Sequence, residues 1–178
     1  LFTCSINTTN YFRNKIVYVQ GHVFINRSQP YHGLDVWISS KHNQMMLPQF
    51  ADRETSMVSP FIDERVFYCD DMIDYDTWTK RRTTEILIQE RKFGRKTIME
   101  MMAADTFPYT HSDLREKVKI LPDCSEKQFA EELRKAKIFI AHSFPEGLGL
   151  PPLEAMASGC LVVGFTGGGG GDFMNHGD

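Results

Sequence analysis

The chain has 178 residues, of which 42% are hydrophobic and 24% are charged, and its formal net charge is −3. These ordinary globular values exclude a disordered chain, and the small charge gives no field that would recruit nucleic acid. No apolar run approaches the roughly 20 residues that span a bilayer, and no signal peptide opens the chain, so we expect a soluble, cytoplasmic protein for which contact with a membrane surface stays open.

Four cysteines are scattered along the chain without any C-x-x-C spacing. This favours reduced, packed thiols over metal ligands or a disulfide framework. The chain starts on Leu1 rather than Met and stops shortly after a run of glycines, where an α/β domain would continue with another strand and helix. We therefore expect a fragment of a longer protein.

The first third of the chain alternates predicted strands with one predicted helix. β-Branched and aromatic runs predict strands at 16–19, 35–39 and 57–62. Ser40 is suited to cap a helix over 41–51, which Pro48 would limit or bend. The apolar face of this helix would consist of Met45, Met46 and Phe50. Such alternation is typical of an α/β fold.

Two interpretations stay open for the next segment. In the first, 85–89 is a strand, followed by a basic loop and by a helix over 97–104. In the second, 72–78 is a strand that leads into the basic residues 80–82. We prefer the first, because its apolar run is cleaner and its helix has apolar residues at helical spacing.

A second helix begins at a capping box. Ser125 stands at the N-cap with Gln128 three residues later, which predicts a helix that ends at Ala136. Its apolar face would include Phe129 and Leu133. A strand is predicted before this helix, at 118–121, and another after it, at 138–141.

The most informative stretch is 144–159, FPEGLGLPPLEAMASG. Buried strands are predicted on both sides of it, at 138–141 and 160–163, so it forms a strand, loop, helix, strand unit with a parallel crossover. The paired prolines suit the first turn of a helix over 151–158, and Gly159 suits the left-handed position after its end. The helix amino end and the loop glycines predict a site for an anion or a sugar phosphate.

Two carboxylates belong to this stretch. Glu146 lies in the loop and Glu154 in the helix, with seven residues between them, and each could accept hydrogen bonds from a pair of sugar or ribose hydroxyl groups. Ser143 ends the preceding strand, where open α/β sheets place ligand contacts, although a structural cap explains it equally well.

A second glycine-rich stretch follows at 167–171, with Asp172 directly after it. Five consecutive glycines let phosphate or sugar hydroxyl groups approach the backbone closely. The alternatives are a flexible linker or an expression tag. We favour a functional loop.

Residues 145–160 resemble the E-x7-E signature of retaining, nucleotide-sugar-dependent glycosyltransferases of the two-domain GT-B fold, the glycosyltransferase group 1 or GT4-like family. The resemblance is firm over about 125–172. It implies an α/β fold with a Rossmann-like parallel sheet and flanking helices, the C-terminal half of a GT-B fold. Residues 1–62 would end an N-terminal, acceptor-side domain, 63–72 would be the hinge, and 73–178 would form a donor-binding domain that is incomplete at its end.

The resemblance also implies roles for single residues. Glu146 would be the catalytic residue that faces the transferring sugar, and Glu154 would bind the ribose. Arg91 and Lys96 would neutralise the diphosphate, with Glu90 standing where the family commonly has Gly, and 80–82 stays the alternative basic segment. The other predicted donor-binding residues are Ser143, Gly147, Leu148, Gly149, Leu150, Gly167 and Gly168.

The implied function is a hexosyltransferase that moves a sugar from a nucleotide diphosphate donor to an acceptor hydroxyl group with retention of configuration. No cofactor or metal is expected. The acceptor (a saccharide, a lipid or a small molecule), the donor and the activity of this part alone stay open. The alternative is a non-catalytic nucleotide-sugar binding or assembly module, and a weaker one is a nucleotide-sugar epimerase or a phosphorylase-like enzyme.

Overall fold

The computed structural model describes residues 16–21, 34–48, 54–70, 74–90 and 116–175. They fall into two compact units, which are described separately. Unit 1 takes its described residues from 1–60, 145–148 and 167–178, and unit 2 takes them from 61–144 and 149–166. The predicted domain boundaries and the hinge at 63–72 stay predictions.

Unit 1 contains a parallel sheet in the order β1-β2-β3. Its strands are β1 (Ile16–Val19), β2 (Asp35–Ile38) and β3 (Ser56–Met57). The first two strands confirm the sequence prediction, whereas the third is shorter than predicted. Alternate β-branched side chains of β1 and β2 point to one face, where they form a buried cluster with Leu47.

The helix of unit 1, α1 (Lys41–Met45), confirms the Ser40 cap but not the predicted length or face. It ends ahead of Pro48, whose ring excludes a continued helix. The predicted apolar face is wrong for Met45 and Met46, which are 75% and 41% exposed, because the buried residues of this segment are Asn43 and Leu47. Phe50 lies outside the described residues.

Unit 2 contains a parallel sheet, and its described strands have the order β5-β4-β6-β7. The strands are β4 (Thr84–Gln89), β5 (Val118–Leu121), β6 (Ala136–Ala141) and β7 (Leu161–Gly164). β4 confirms the preferred interpretation of this segment. The helix predicted over 97–104 lies outside the described residues.

Three helices accompany this sheet in the described part of unit 2: α2 (Tyr75–Arg81), α3 (Glu126–Lys135) and α4 (Leu150–Ala157). α2 occupies residues that the second interpretation assigned to a strand, so that interpretation is wrong; Asp74 caps α2 by accepting the Thr77 N–H at 3.0 Å. α3 has both hydrogen bonds of the predicted capping box, and Phe129 and Leu133 are buried as expected. None of the described helices is long and apolar enough to cross a bilayer.

The β6-α4-β7 unit has the predicted parallel crossover. Gly159 follows the end of α4 with φ of +78°, a left-handed conformation that favours glycine. The prediction that the strand after α4 is buried is wrong: Leu161 is 62% and Val163 is 54% exposed. β7 lies at an edge of the described sheet, so it has a strand neighbour on one side only. The α/β architecture with parallel sheets and flanking helices is as predicted.

Candidate functional site

The loop that carries Glu146 belongs to unit 1 and pairs with the second glycine-rich stretch. The Glu146 N–H donates to the Gly167 carbonyl oxygen at 2.7 Å, and the Gly169 N–H donates to the Glu146 carbonyl oxygen at 3.1 Å. These bonds form a parallel bridge between Glu146 and Gly168. The main chain of the predicted catalytic residue is therefore fixed on both sides by the glycine-rich stretch.

Close main-chain packing explains two of the glycines. A Cβ atom on Gly147 would overlap the carbonyl oxygen of Gln20, and one on Gly169 would overlap the carbonyl oxygen of Gly147. Any side chain at either position would force the loops apart. The packing of unit 1 itself therefore requires glycine at both positions. The sequence interpretation expected glycine there only for the approach of a ligand and did not foresee this packing.

The amino end of α1 contacts both loops within unit 1. The Ser40 hydroxyl donates to the Gly147 carbonyl oxygen, and the Lys41 N–H donates to a carboxylate oxygen of Asp172 at 3.0 Å. The His42 ring lies against Gly168, where a Cβ atom would overlap ring atoms. Sequence reasoning identified Ser40 only as a helix cap; no local pattern indicates a contact with a residue 107 positions away.

Glu154 lies in α4, which belongs to unit 2. Its side chain is partly buried, and the N-cap residue before the helix is Gly149, which has φ of +89°. No side chain caps this helix end. Because Pro151 and Pro152 have no N–H group, the unpaired donors of the first turn are reduced to those of Gly149 and Leu150. The helix end therefore has fewer backbone donors for an anion than an ordinary first turn.

Among the other predicted site residues, Leu148 and Ser143 differ in burial and in their neighbours. Leu148 is buried, so its contribution to a ligand is limited to main-chain groups. Ser143 is partly buried at the end of β6, next to His142, whose Nε2 lies 2.8 Å from the Gln89 carbonyl oxygen. Arg91 and Lys96 lie outside the described residues.

Arg82 is buried in unit 2, which overturns the alternative that 80–82 forms a phosphate-binding loop. Lys80 belongs to the last turn of α2 rather than to a loop. The guanidinium lies over the Trp78 ring, 5.3 Å from its centroid. It donates to main-chain carbonyl oxygens at the ends of α3 and α4, those of Leu133, Ala136 and Ser158. Arg82 therefore joins two helix ends and has no donor left facing solvent for a phosphate.

Within the described ranges, no group of three or more His, Cys, Asp or Glu side chains gathers in a way that could hold a metal ion. His42 is one of the three evenly spaced histidines of the amino-terminal region, and the other two, His22 and His32, lie outside the described residues.

Comparison with known proteins points to one family for the carboxyl-terminal part. Residues 109–178 match Glycosyl transferases group 1, a range that includes both carboxylates and the glycine-rich stretch. A segment of 43 residues is 49% identical to an alpha-1,6-glucosyltransferase of Actinobacillus pleuropneumoniae serotype 7 (strain AP76). The aligned segment covers 24% of this chain and 13% of that relative.

Solved structures share the fold over most of the chain. Anabaena Alr3699/HepE in complex with UDP-glucose has a TM-score of 0.61 at 13% identity, with 93% of this chain and 57% of that chain covered. TarM has a TM-score of 0.62 at 17% identity, with 96% of this chain and 40% of that chain covered. The chain thus spans about half the length of these proteins. The carboxyl-terminal part of the chain is thus similar to glycosyl transferases group 1, and the chain shares its fold with these solved structures.

Proposed function

We propose that this chain carries the donor-binding part of a retaining glycosyltransferase that uses a nucleotide diphosphate sugar. The observation that carries the proposal is the bridge between Glu146 and Gly168, which holds a carboxylate-bearing loop against a glycine-rich loop inside the range that matches group 1. The UDP-glucose bound to Anabaena Alr3699/HepE supports a UDP-sugar donor.

In this proposal the protein positions the donor and stabilises charge, and it supplies no covalent nucleophile. Glu146 faces the transferring sugar, where a carboxylate stabilises positive charge that develops at the anomeric carbon. Glu154 accepts hydrogen bonds from the ribose hydroxyl groups. Arg91 and Lys96 balance the negative charge that accumulates on the departing diphosphate. The acceptor hydroxyl group arrives on the face from which the diphosphate leaves and gives its proton to the departing phosphate oxygen. The new bond to the acceptor oxygen therefore replaces the bond to the diphosphate with retention of configuration.

In this proposal the backbone N–H groups of the two loops of unit 1 have two kinds of partner, the opposite loop and the nucleotide sugar. The N–H groups of Glu146 and Gly169 bond to the opposite loop of unit 1. The predicted main-chain contacts to the sugar and the phosphates therefore fall on 147–150, and Gly167 and Gly168 line the proposed site through close backbone approach. Ser143 completes the set at the carboxyl end of β6, the edge where parallel sheets bind ligands.

The test separates the two carboxylates in the whole protein. We expect Glu154→Ala to weaken UDP binding about 10-fold or more, because charge-assisted hydrogen bonds to the ribose are lost. We expect Glu146→Ala to lower kcat about 100-fold with UDP affinity almost unchanged, because its interaction is made mainly in the transition state. Calorimetry with UDP and turnover with UDP-glucose measure the two quantities.

The matched control is Glu131→Ala, an exposed carboxylate on α3 that should leave both quantities unchanged. Unchanged UDP affinity in Glu154→Ala would contradict the ribose role. Donor binding without transfer or hydrolysis in the unmodified protein would favour the alternative, a non-catalytic nucleotide-sugar binding module. NMR of the anomeric proton in the product distinguishes retention from inversion.

A further inference from the structure

We propose that Ser40 is a positioning residue for Glu146, holding its loop through the Gly147 carbonyl group. The inference rests on the proposed function, since it assigns Glu146 the catalytic role. Ser40 belongs to the amino-terminal part of the chain, outside the range that matches group 1. The contact lies wholly within unit 1.

The Ser40 hydroxyl group makes two bonds of opposite kind. Its oxygen accepts the Asn43 N–H of α1 at 3.1 Å, and its proton goes to the carbonyl oxygen of Gly147. The Ser40 side chain is fully buried, the bond from the Asn43 N–H is buried, and the bond to Gly147 is partly buried, so access of water to the hydroxyl group is limited. Only a hydroxyl group can accept and donate at one atom in so small a space, which makes this contact specific to Ser or Thr.

Asp172 adds a second contact from the other loop. Its carboxylate accepts the Lys41 N–H, next in the chain to Ser40, at 3.0 Å. The loop around Glu146 and the glycine-rich loop are therefore each attached to the same end of α1. Because the two loops are also bridged to each other through Gly167 and Gly169, a shift in one attachment is transmitted to the main chain of Glu146.

The expected consequence is kinetic. A catalytic carboxylate that moves by a fraction of an ångström loses much of its effect on the transition state. Donor binding depends on Glu154 as well, and Glu154 belongs to unit 2, whereas Ser40 and Gly147 belong to unit 1. Loss of the Ser40 hydroxyl should thus lower kcat and spare UDP affinity.

Four variants of the whole protein distinguish positioning from simple capping. Ser40→Ala removes both bonds, whereas Ser40→Gly removes the hydroxyl but keeps an acceptable N-cap residue. Ser40→Thr keeps both bonds. Gln44→Ala is the control, because Gln44 also belongs to α1 but its side chain bonds to Thr55 Oγ1.

Two readouts are measured for each variant: kcat and KM with UDP-glucose, and hydrogen exchange at the Glu146 and Gly169 amides. We expect Ser40→Ala and Ser40→Gly to lower kcat about 10-fold, to keep UDP affinity within about 3-fold, and to speed exchange at both amides about 10-fold. Ser40→Thr should keep kcat and exchange near those of the unmodified protein, and Gln44→Ala should resemble the unmodified protein.

Unaltered exchange at both amides in Ser40→Gly would overturn the positioning role, as would an equal loss of kcat in Gln44→Ala. Exchange does not depend on turnover, so it tests the attachment even if no transfer is detected. In that case, faster exchange in Ser40→Gly together with inactivity of the unmodified protein would refute the proposed function and keep the structural attachment. Normal kcat with faster exchange would overturn the link to catalysis.

Discussion

Cys160, the residue that follows the Gly159 turn, is a buried thiol with two main-chain acceptors. Its sulfur donates to the Leu133 carbonyl oxygen at 3.1 Å. Burial raises the pKa of Cys160 from 9.0 to about 11, although the Arg82 guanidinium opposes the rise. A folded pKa above the unfolded one means that the protonated thiol stabilises the fold below about pH 9, and that this contribution is lost as the pH rises towards 11.

We expect Cys160 to resist alkylation in the folded protein. At about pH 8 a thiol with a pKa of about 11 is roughly 0.1% thiolate, against roughly 10% at the ordinary value, so iodoacetamide should react about 100-fold more slowly than in the unfolded chain. The rate should rise about 10-fold per pH unit up to about 11. Peptide-resolved mass spectrometry measures it in buffer and in concentrated urea, and equal rates in the two conditions would refute the expected protection.

Single residues show where sequence reasoning succeeds and where it stops. The N-cap of Ser40 and the left-handed Gly159 were predictable, because each depends on a few neighbouring residues. The bond from Ser40 to Gly147 was not predictable, because the two residues are 107 positions apart. No neighbouring residue distinguishes an N-cap serine that also donates to a distant carbonyl oxygen from one that only caps its helix. The alternative that placed 80–82 in a phosphate-binding loop failed for a related reason: the sequence does not reveal that Arg82 is buried.

At the scale of elements, α3 and α4 end against the same buried cation. The carboxyl end of a helix carries partial negative charge and carbonyl groups that lack an intrahelical partner. The Arg82 guanidinium supplies donors to the carboxyl ends of both helices, within unit 2. Arginine suits this position because its planar donors can reach several acceptors at once.

We expect Arg82→Ala to destabilise unit 2 by about 3 kcal/mol or more, since buried carbonyl groups lose their partner and a cavity forms. Arg82→Lys should recover little, because an ammonium group cannot reach all the acceptors. Unfolding can be followed by the fluorescence of Trp78, whose ring lies under the Arg82 guanidinium. All variants also carry Trp37→Phe, so that Trp78 is the one remaining tryptophan. Lys80→Ala, an exposed cation on α2, should change the stability by less than about 0.5 kcal/mol; a similar loss there would argue against a specific role for Arg82.

Elements with strong local signals were predicted well. The strand over 118–121 has the predicted bounds, and the capping box at Ser125 has both of its hydrogen bonds. The errors concern properties that depend on neighbours. The exposure of β7 follows from its place at an edge of the described sheet, and the short α1 follows from the packing of Leu47 and the constraint at Pro48.

At the scale of the whole molecule, the chain passes between the two units at 60/61, 144/145, 148/149 and 166/167. The segment that contains both carboxylates is therefore divided, with Glu146 in unit 1 and Glu154 in unit 2. A sequence pattern treats these residues as one motif with fixed spacing. The α/β class and the parallel crossover could be inferred from that pattern, but the division could not, because it depends on contacts between distant parts of the chain.

The division predicts how the chain responds when residues 1–60 are removed. Residues 61–178 retain β4 to β7, whose amides bond within unit 2, so hydrogen exchange there should stay slow. Gly147 loses its bond from Ser40 and Asp172 loses its bond from Lys41, so we expect exchange at the Gly169 amide to rise at least about 10-fold.

Substitutions of Asp172 in the intact chain separate this effect from general loosening of the fold. Asp172→Asn keeps a side-chain oxygen that can accept the Lys41 N–H, whereas Asp172→Ala removes it. Faster exchange at Gly169 is therefore expected in Asp172→Ala and not in Asp172→Asn, with β6 unchanged in both. If Gly169 stays equally protected after removal of 1–60, the loop holds its conformation by itself, and its contacts with α1 are a consequence of that conformation rather than its cause.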